Sequence, residues 1–277
     1  MATNGFGTRL AKGGAVLLLI LAAGGIGGVV GFRAGESSVL YHLVGEIIDP
    51  EDRLPDVVDY AVGRTTSYAL YGQDLWLLNH VYPGVSDGFF VDLGSADGEA
   101  DSNTKLLEVH GWHGICIDPF PSHMENRTCR MVKAVVDSEA GRTVHFQQPG
   151  QFSGGILDYA GWWVDAKSRG KTVELTTTTL ADILREANAP AFINYMSVDI
   201  EGAEYEALRN FPFDQYRIGA MSVEHNEMQD RRMAIRHLLE SHGYRLERAV
   251  LDQDWYVLDD RAATADNAAL SKSASPR

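Results

Sequence analysis

The stretch that decides the fold runs from Phe89 to Pro119, FFVDLGSADGEADSNTKLLEVHGWHGICIDP. Gly88-Phe89-Phe90-Val91 is a short apolar run of the kind that fills a buried strand. It ends in Asp92-Leu93-Gly94-Ser95-Ala96-Asp97-Gly98. Gly94 and Gly98 can take backbone angles that other residues resist, and they let a ligand approach the main chain. A helix follows: Ser102 is placed to cap it, Thr104 to Glu108 continue it and Gly111 stops it. A second apolar run, Gly114 to Ile117, ends in Asp118. Strand, glycine loop, helix, strand and acid make one βαβ unit with a ligand site at the strand ends.

The loop restricts that ligand. A dinucleotide fingerprint reads G-x-G-x-x-G, but Ala96 holds the middle position here and Asp92 precedes the loop. Carboxylates at Asp92 and Asp97 sit poorly beside a pyrophosphate. They suit a cofactor with an ammonium, a sulfonium and no phosphate, such as S-adenosylmethionine. Asp118 is then placed to accept two hydrogen bonds from ribose hydroxyls. From the loop alone, an NAD site and a plain βαβ turn without cofactor stay open.

Composition narrows the function. The chain has 277 residues, 45% of them hydrophobic, enough for one sizeable α/β domain plus extras. A net charge of −14 argues against nucleic acid and anionic surfaces as partners. Two cysteines, Cys116 and Cys129, are too few for a disulfide scaffold or a zinc finger. Their pairing would require an oxidising compartment.

The N-terminus reads differently. A tail (1–12) carrying Arg9 and Lys12 precedes twenty uncharged residues, Gly13 to Phe32, long enough to span a bilayer as one helix. A cleaved signal peptide, with an apolar core from Ala15 to Ala23, is the rival reading. The positive-inside rule places the N-terminus in the cytoplasm and the main domain across the membrane. A domain there would have to import its cofactor, so the side stays open. Gly24-x-x-x-Gly28 and Gly27-x-x-x-Gly31 would let two such helices pack as a homodimer. Residues 33–66 read as a juxtamembrane stem, 67–260 as the main domain and 261–277 as an Ala/Ser-rich disordered tail.

Within the main domain, Ser67 to Leu78 reads as a turn and an amphipathic helix, Met131 to Val136 as a third strand and Thr143 to Phe146 as a fourth. Residues 147–172, with paired Trp162-Trp163, read as a long loop. Thr179 caps a helix from Leu180, and Ile193 to Asp199 is a central strand running into Ile200-Glu201-Gly202-Ala203-Glu204. Another strand, Ile218 to Val223, ends in Glu224-His225-Asn226. A helix from Arg231 to His242 precedes an antiparallel hairpin, Tyr244 to Val250 and Trp255 to Leu258. The expectation is a mostly parallel sheet with one antiparallel edge strand. Asn126-Arg127-Thr128 is a glycosylation sequon, meaningful only in a secretory lumen.

These residues together resemble the FkbM-type S-adenosylmethionine-dependent methyltransferase family. The resemblance covers roughly residues 68–258. It is carried by Gly72-Gln73-Asp74, Phe90 to Gly94, Asp97-Gly98, Ser102-Asn103-Thr104, Leu107-Glu108 and Gly111 to Pro119. Ser197 to Glu204, Val223 to Asn226, Gly243-Tyr244 and Asp254 to Val257 complete it. It implies a class I, Rossmann-like methyltransferase fold. It also implies methylation of a hydroxyl on a sugar, glycan or related metabolite. Asp118 stands where many relatives have Glu, and Ala96 where many class I methyltransferases have Gly. Some membrane-anchored relatives resemble trafficking factors, so a non-catalytic membrane adaptor is the alternative.

The cofactor residues expected are Asp92, Gly94, Ser95, Ala96, Asp97, Gly98, Asn103, Asp118, Pro119, Val135 and Asp199. A sugar hydroxyl is a poor nucleophile, so a base or a metal should help remove its proton. His225 is the candidate base because imidazole titrates near neutrality; Asp199 and Glu201 are the other catalytic candidates. Asp199, Glu224 and His225, with Glu201, could alternatively hold Mg²⁺ or Mn²⁺, which favour hard oxygen ligands.

Overall fold

In the computed structural model, residues 67–148, 154–159 and 171–259 are described. The candidate span 13–32, the stem, Trp162-Trp163 and the tail lie outside them. Among the described residues no helix is long and apolar enough to cross a membrane.

Two sheets form. The larger has seven strands: β1 (Phe89–Leu93), β2 (His113–Ile117), β3 (Arg130–Val132), β8 (Phe192–Val198), β9 (Arg217–Glu224), β10 (Tyr244–Val250) and β11 (Gln253–Leu258). Their order is β10-β11-β9-β8-β1-β2-β3. From β1 the chain first steps outward to β2 and β3 and later returns on the other side with β8 and β9, all parallel. The order therefore reverses between β1 and β8, and a crevice opens there at the carboxyl ends of the strands. The smaller sheet, β4-β7-β5-β6, comprises β4 (Val135–Val136), β5 (Thr143–Gln147), β6 (Gly155–Ile156) and β7 (Thr172–Thr178).

Helices cover both faces. A four-residue helix α1 (Gln73–Trp76), extended by a π-helical turn over Leu77–Val81, and α2 (Lys105–Val109) pack Trp76, Leu77 and Leu107 against Phe90, Trp112, Tyr195 and Trp255. On the other face α3 (Leu180–Ala187), α4 (Glu204–Arg209) and α5 (Gln229–Ser241) cover Val91, Leu93, Ile117, Met196 and Val223. Helix α3 shows why such segments fold locally. Leu180, Ile183 and Leu184 make one buried stripe at helical spacing. The Thr179 hydroxyl accepts the Asp182 N–H at 3.1 Å, and left-handed Asn188 ends the helix.

Four expectations change. The antiparallel strand is not at the edge: β11 runs against β9 on one side and β10 on the other, and β10 forms the edge in the majority direction. Helix α5 carries the chain one strand too far, and the hairpin turns β11 back into the gap. The turn is only Leu251-Asp252, tighter than expected, with Leu251 at a φ of 52°. The single strand from Met131 to Val136 is two, β3 in the large sheet and β4 in the small one. β7, with β-branched and apolar residues from Thr172 to Thr178, was not anticipated as a strand.

A disulfide joins Cys116, in the middle of β2, to Cys129. It fastens the segment carrying Arg127 behind β1. Opening a cross-link across a loop of this size costs roughly 3 kcal/mol through the unfolded-state entropy. Cys129→Ser, or full reduction, should therefore lower the unfolding temperature by several degrees in calorimetry. A dithiol should leave the Cys129→Ser variant unchanged.

Candidate functional site

Five segments meet over the crevice. The first follows β1. The Gly94 and Ser95 N–H groups both donate to the Ile117 carbonyl, at 2.9 and 3.2 Å, which folds the loop over the end of β2. Gly94 has a φ of 91°, and a Cβ there would lie 1.7 Å from the Asp199 carbonyl oxygen, so only glycine fits. Asp97 secures the loop. Its carboxylate accepts the Glu99 and Ala100 N–H groups at 3.0 Å and also bonds His123. Slight burial would raise its pKa, but these donors outweigh it and hold the carboxyl at about 2.

Behind the loop, Asp92 is buried. It accepts the Thr104 hydroxyl at 2.5 Å and has the Arg127 guanidinium 3.9 Å away. Burial raises the Asp92 pKa and Arg127 opposes the rise. Arg127 also bonds Glu108 at 2.8 Å and Thr104 at 2.6 Å. The second segment carries Asp118, whose two oxygens accept the Ala96 and Phe120 N–H groups at 3.0 and 2.6 Å. Each oxygen keeps a lone pair for a ligand. Burial pushes this carboxyl up as well.

The third segment is Asp199 to Glu204. One Glu204 oxygen accepts both the Ile200 and Gly202 N–H groups, at 3.0 and 2.9 Å, and so closes the turn. Glu201 at a φ of 56° and Gly202 at 108° reverse the chain inside it. The fourth is Glu224 to Glu227, and the fifth is the β10–β11 turn with Asp252. A strap before α1 adds Leu70 and Tyr71. Phe146, Gly154 and Ile156 of the small sheet and its flank close one side.

Together these segments enclose a cavity of about 950 Å³. Asp92, Asp97, Asp101, Asp118, Asp199, Glu201, Glu224, Glu227 and Asp252 line it, and no Lys, Arg or His does among the described residues. Ligand atoms of Asp199, Glu201 and Glu224 come within 4.8 Å of one another. Burial pushes Asp199 well up, with Glu201 adding to the rise, and burial with the adjacent Asp199 does the same to Glu224. The Ser95 hydroxyl is buried in this wall with no partner among the described residues. Of the eight described non-glycine residues with left-handed backbone, Ala96, Asp101, Glu201, Asn226 and Glu227 line the cavity. Backbone strain of this kind concentrates at sites.

Of the residues expected from sequence, Asp92, Gly94, Ser95, Ala96, Asp97, Asn103, Asp118, Pro119, Val135, Asp199, Glu201 and Glu224 line the cavity. Gly98 and His225 do not. The Gly98 N–H donates to Ser122, and a Cβ on Gly98 would lie 2.3 Å from the His123 carbonyl oxygen, so this glycine packs loop on loop. His225 is buried and turned away. Its Nδ1 accepts the Glu227 N–H at 3.2 Å, and its Nε2 faces Asp254 at 3.8 Å. The three groups that converge are thus Asp199, Glu201 and Glu224, without the His225 that the sequence reading added to them. Tyr71, Asp252, Phe146 and buried Arg127 were not foreseen. Tyr71 adjoins Gly72-Gln73-Asp74, a signal that was available; the others depend on long-range packing.

A family model described as the methyltransferase FkbM domain matches residues 92–246, from the acid of β1 into β10. No curated protein and no solved structure matches the chain. The matched stretch is more than half of the chain and contains four of the five segments that build the cavity; the chain belongs to the FkbM methyltransferase family.

Proposed function

We propose that this protein is an S-adenosylmethionine-dependent O-methyltransferase acting on a hydroxyl of a sugar, glycan or related metabolite, tethered to a membrane by residues 13–32. The observation that carries the cofactor reading is the lining of the cavity: nine acids and no basic side chain among the described residues. A pyrophosphate cofactor would meet only like charge there, whereas a cofactor with an ammonium and a sulfonium meets complementary charge. The residues fit such a group. Asp118 is held with free lone pairs toward the cavity, as a ribose diol requires. The buried Ser95 hydroxyl awaits a partner. Asn103 is anchored on Ser197 at 2.8 Å.

S-adenosylmethionine, when bound, supplies an electrophilic methyl group on a positively charged sulfur. The chain aligns the acceptor and takes its proton. Asp199 stands at the end of β8 beside Gly94, next to the cofactor wall, and is the proton acceptor in this reading. Glu201 and Glu224 complete the floor. A divalent cation held by Asp199, Glu201 and Glu224 would relieve their mutual repulsion and lower the pKa of an acceptor hydroxyl. The Cys116–Cys129 disulfide supports a domain that matures in an oxidising compartment, across the membrane from the N-terminus.

Calorimetry tests the cofactor. The full chain in detergent should bind S-adenosylmethionine at micromolar concentration, and Asp118→Ala should abolish binding. A folded wild-type protein that binds none would leave the adaptor reading.

The acidic floor has its own pH signature. Burial raises the Glu204 pKa and its backbone donors and Arg231 oppose that, leaving it at about 7 against an ordinary 4.5. A raised carboxyl favours the folded state only while protonated. Its contribution is complete below the ordinary value and is lost as pH rises through about 7. Asp199 and Glu224 act in the same direction. The unfolding temperature should therefore fall as the solution turns from acid to mildly alkaline. Glu204→Gln keeps an oxygen for Ile200 and Gly202 and should flatten part of that fall. Millimolar Mg²⁺ or Mn²⁺ should reverse much of the rest; an unmoved transition would remove the cation from the mechanism.

A further inference from the structure

Gln73 and Gln253 lie 180 residues apart in the chain, both buried, and neither lines the cavity. An amide withdrawn from water is costly unless it is hydrogen-bonded. These two are bonded to each other and form the middle of a chain of four groups. The Tyr71 backbone N–H donates to Gln73 Oε1 at 3.0 Å. Gln73 Nε2 donates to Gln253 Oε1 at 2.7 Å. Gln253 Nε2 donates to Asp199 Oδ2 at 3.3 Å.

The direction of this chain is fixed at its origin. A backbone N–H can only donate, so the Gln73 oxygen must face it and the Gln73 nitrogen must face away. The same constraint passes to Gln253. Neither amide can turn over without losing its bonds, and a donor is always presented to Asp199. The origin is held in turn: Asp74 accepts the Ser67 hydroxyl at 2.6 Å and the Tyr68 and Ala69 N–H groups at 2.9 and 3.3 Å. The Tyr71 hydroxyl reaches Asp252 at 3.1 Å across the β10–β11 turn.

We propose that Gln73 and Gln253 are positioning residues that orient the Asp199 carboxylate toward the acceptor through a polarised amide chain originating at the Tyr71 N–H. The proposal deepens the methyltransferase reading and rests on it for the role of Asp199. It explains why the stretch from Tyr71 into the start of α1 belongs to the site although Gln73 does not line the cavity.

Two variants separate orientation from packing. Gln253→Met keeps the length and removes the donor. Gln73→Glu keeps the volume, never touches Asp199 and has no donor. It forces the Gln253 amide to turn its NH₂ toward position 73 and its oxygen toward Asp199. Crystal structures of the full chain in detergent read the Asp199 carboxylate directly. Calorimetry reads S-adenosylmethionine affinity, and turnover is read on an acceptor found by screening. The expected result is a rotated Asp199 carboxylate in both variants and near-unchanged cofactor affinity. Turnover should fall about ten-fold or more with little change in the KM for the cofactor. An unmoved carboxylate in Gln253→Met overturns the proposal whatever the turnover, and Gln253→Met decides if Gln73→Glu does not fold. If the wild type binds no S-adenosylmethionine, the methyltransferase reading fails, while the position of Asp199 still judges the amide chain.

Discussion

The site depends on how closely two loops approach at the centre of the sheet. The Asp199 N–H donates to the Leu93 carbonyl at 2.9 Å, and residue 94 passes so near the Asp199 carbonyl that no Cβ can be accommodated. This contact joins the ends of β1 and β8, the neighbours between which the strand order reverses. It sets the separation between the cavity wall built from the β1 and β2 loops and the carboxylate floor built from the β8 and β9 loops. A methyl donor and its acceptor must meet in line across that separation, so one glycine fixes the geometry on which both halves of the cavity rely.

The second constraint is electrostatic. Natural interiors seldom bury several carboxyls together without cations, because desolvation and mutual repulsion both oppose charge there. The basic residues that might have compensated are used elsewhere. Arg127 is buried behind β1 with Asp92 and Glu108, and Arg232 holds Asp254 with bonds of 2.8 and 2.7 Å. These guanidinium groups are therefore committed behind the cavity, and its lining keeps acids without a basic side chain among the described residues. Such an arrangement lowers apoprotein stability, and a cationic ligand offsets that cost on binding.

Sequence made one half of this legible and concealed much of the other. Strand β1, its glycine loop and the acid after β2 are contiguous and obey local rules, so nearly all residues of that cavity wall could be named from Phe89 to Pro119. The floor comes from the β8 and β9 loops, which follow β1 by more than 100 residues in the chain, and the side on which a loop residue presents its carboxyl depends on backbone angles that residue type does not reveal. Left-handed Glu201 turns toward the cavity while His225, one residue after a lining glutamate, turns away. The edge strand was misplaced for a similar reason: a hairpin is visible in sequence, but which of its strands pairs with β9 is a tertiary choice.

The Gly72-Gln73-Asp74 triplet shows what a short motif can encode once packing supplies its partners. Gly72, at a φ of 73°, starts α1 from a left-handed turn. Asp74 folds the preceding strap back onto its own carboxylate, and burial raises its pKa against four hydrogen bonds that lower it. Gln73 alone points inward, and its partner lies on the last strand of the sheet. Each residue has a different task, and none of the three tasks is contact with a ligand. Sequence reading expects motif residues to touch what the protein binds. Here the motif ties the strap before α1 to the last strand of the sheet, and the residues that line the cavity inherit their positions from that attachment.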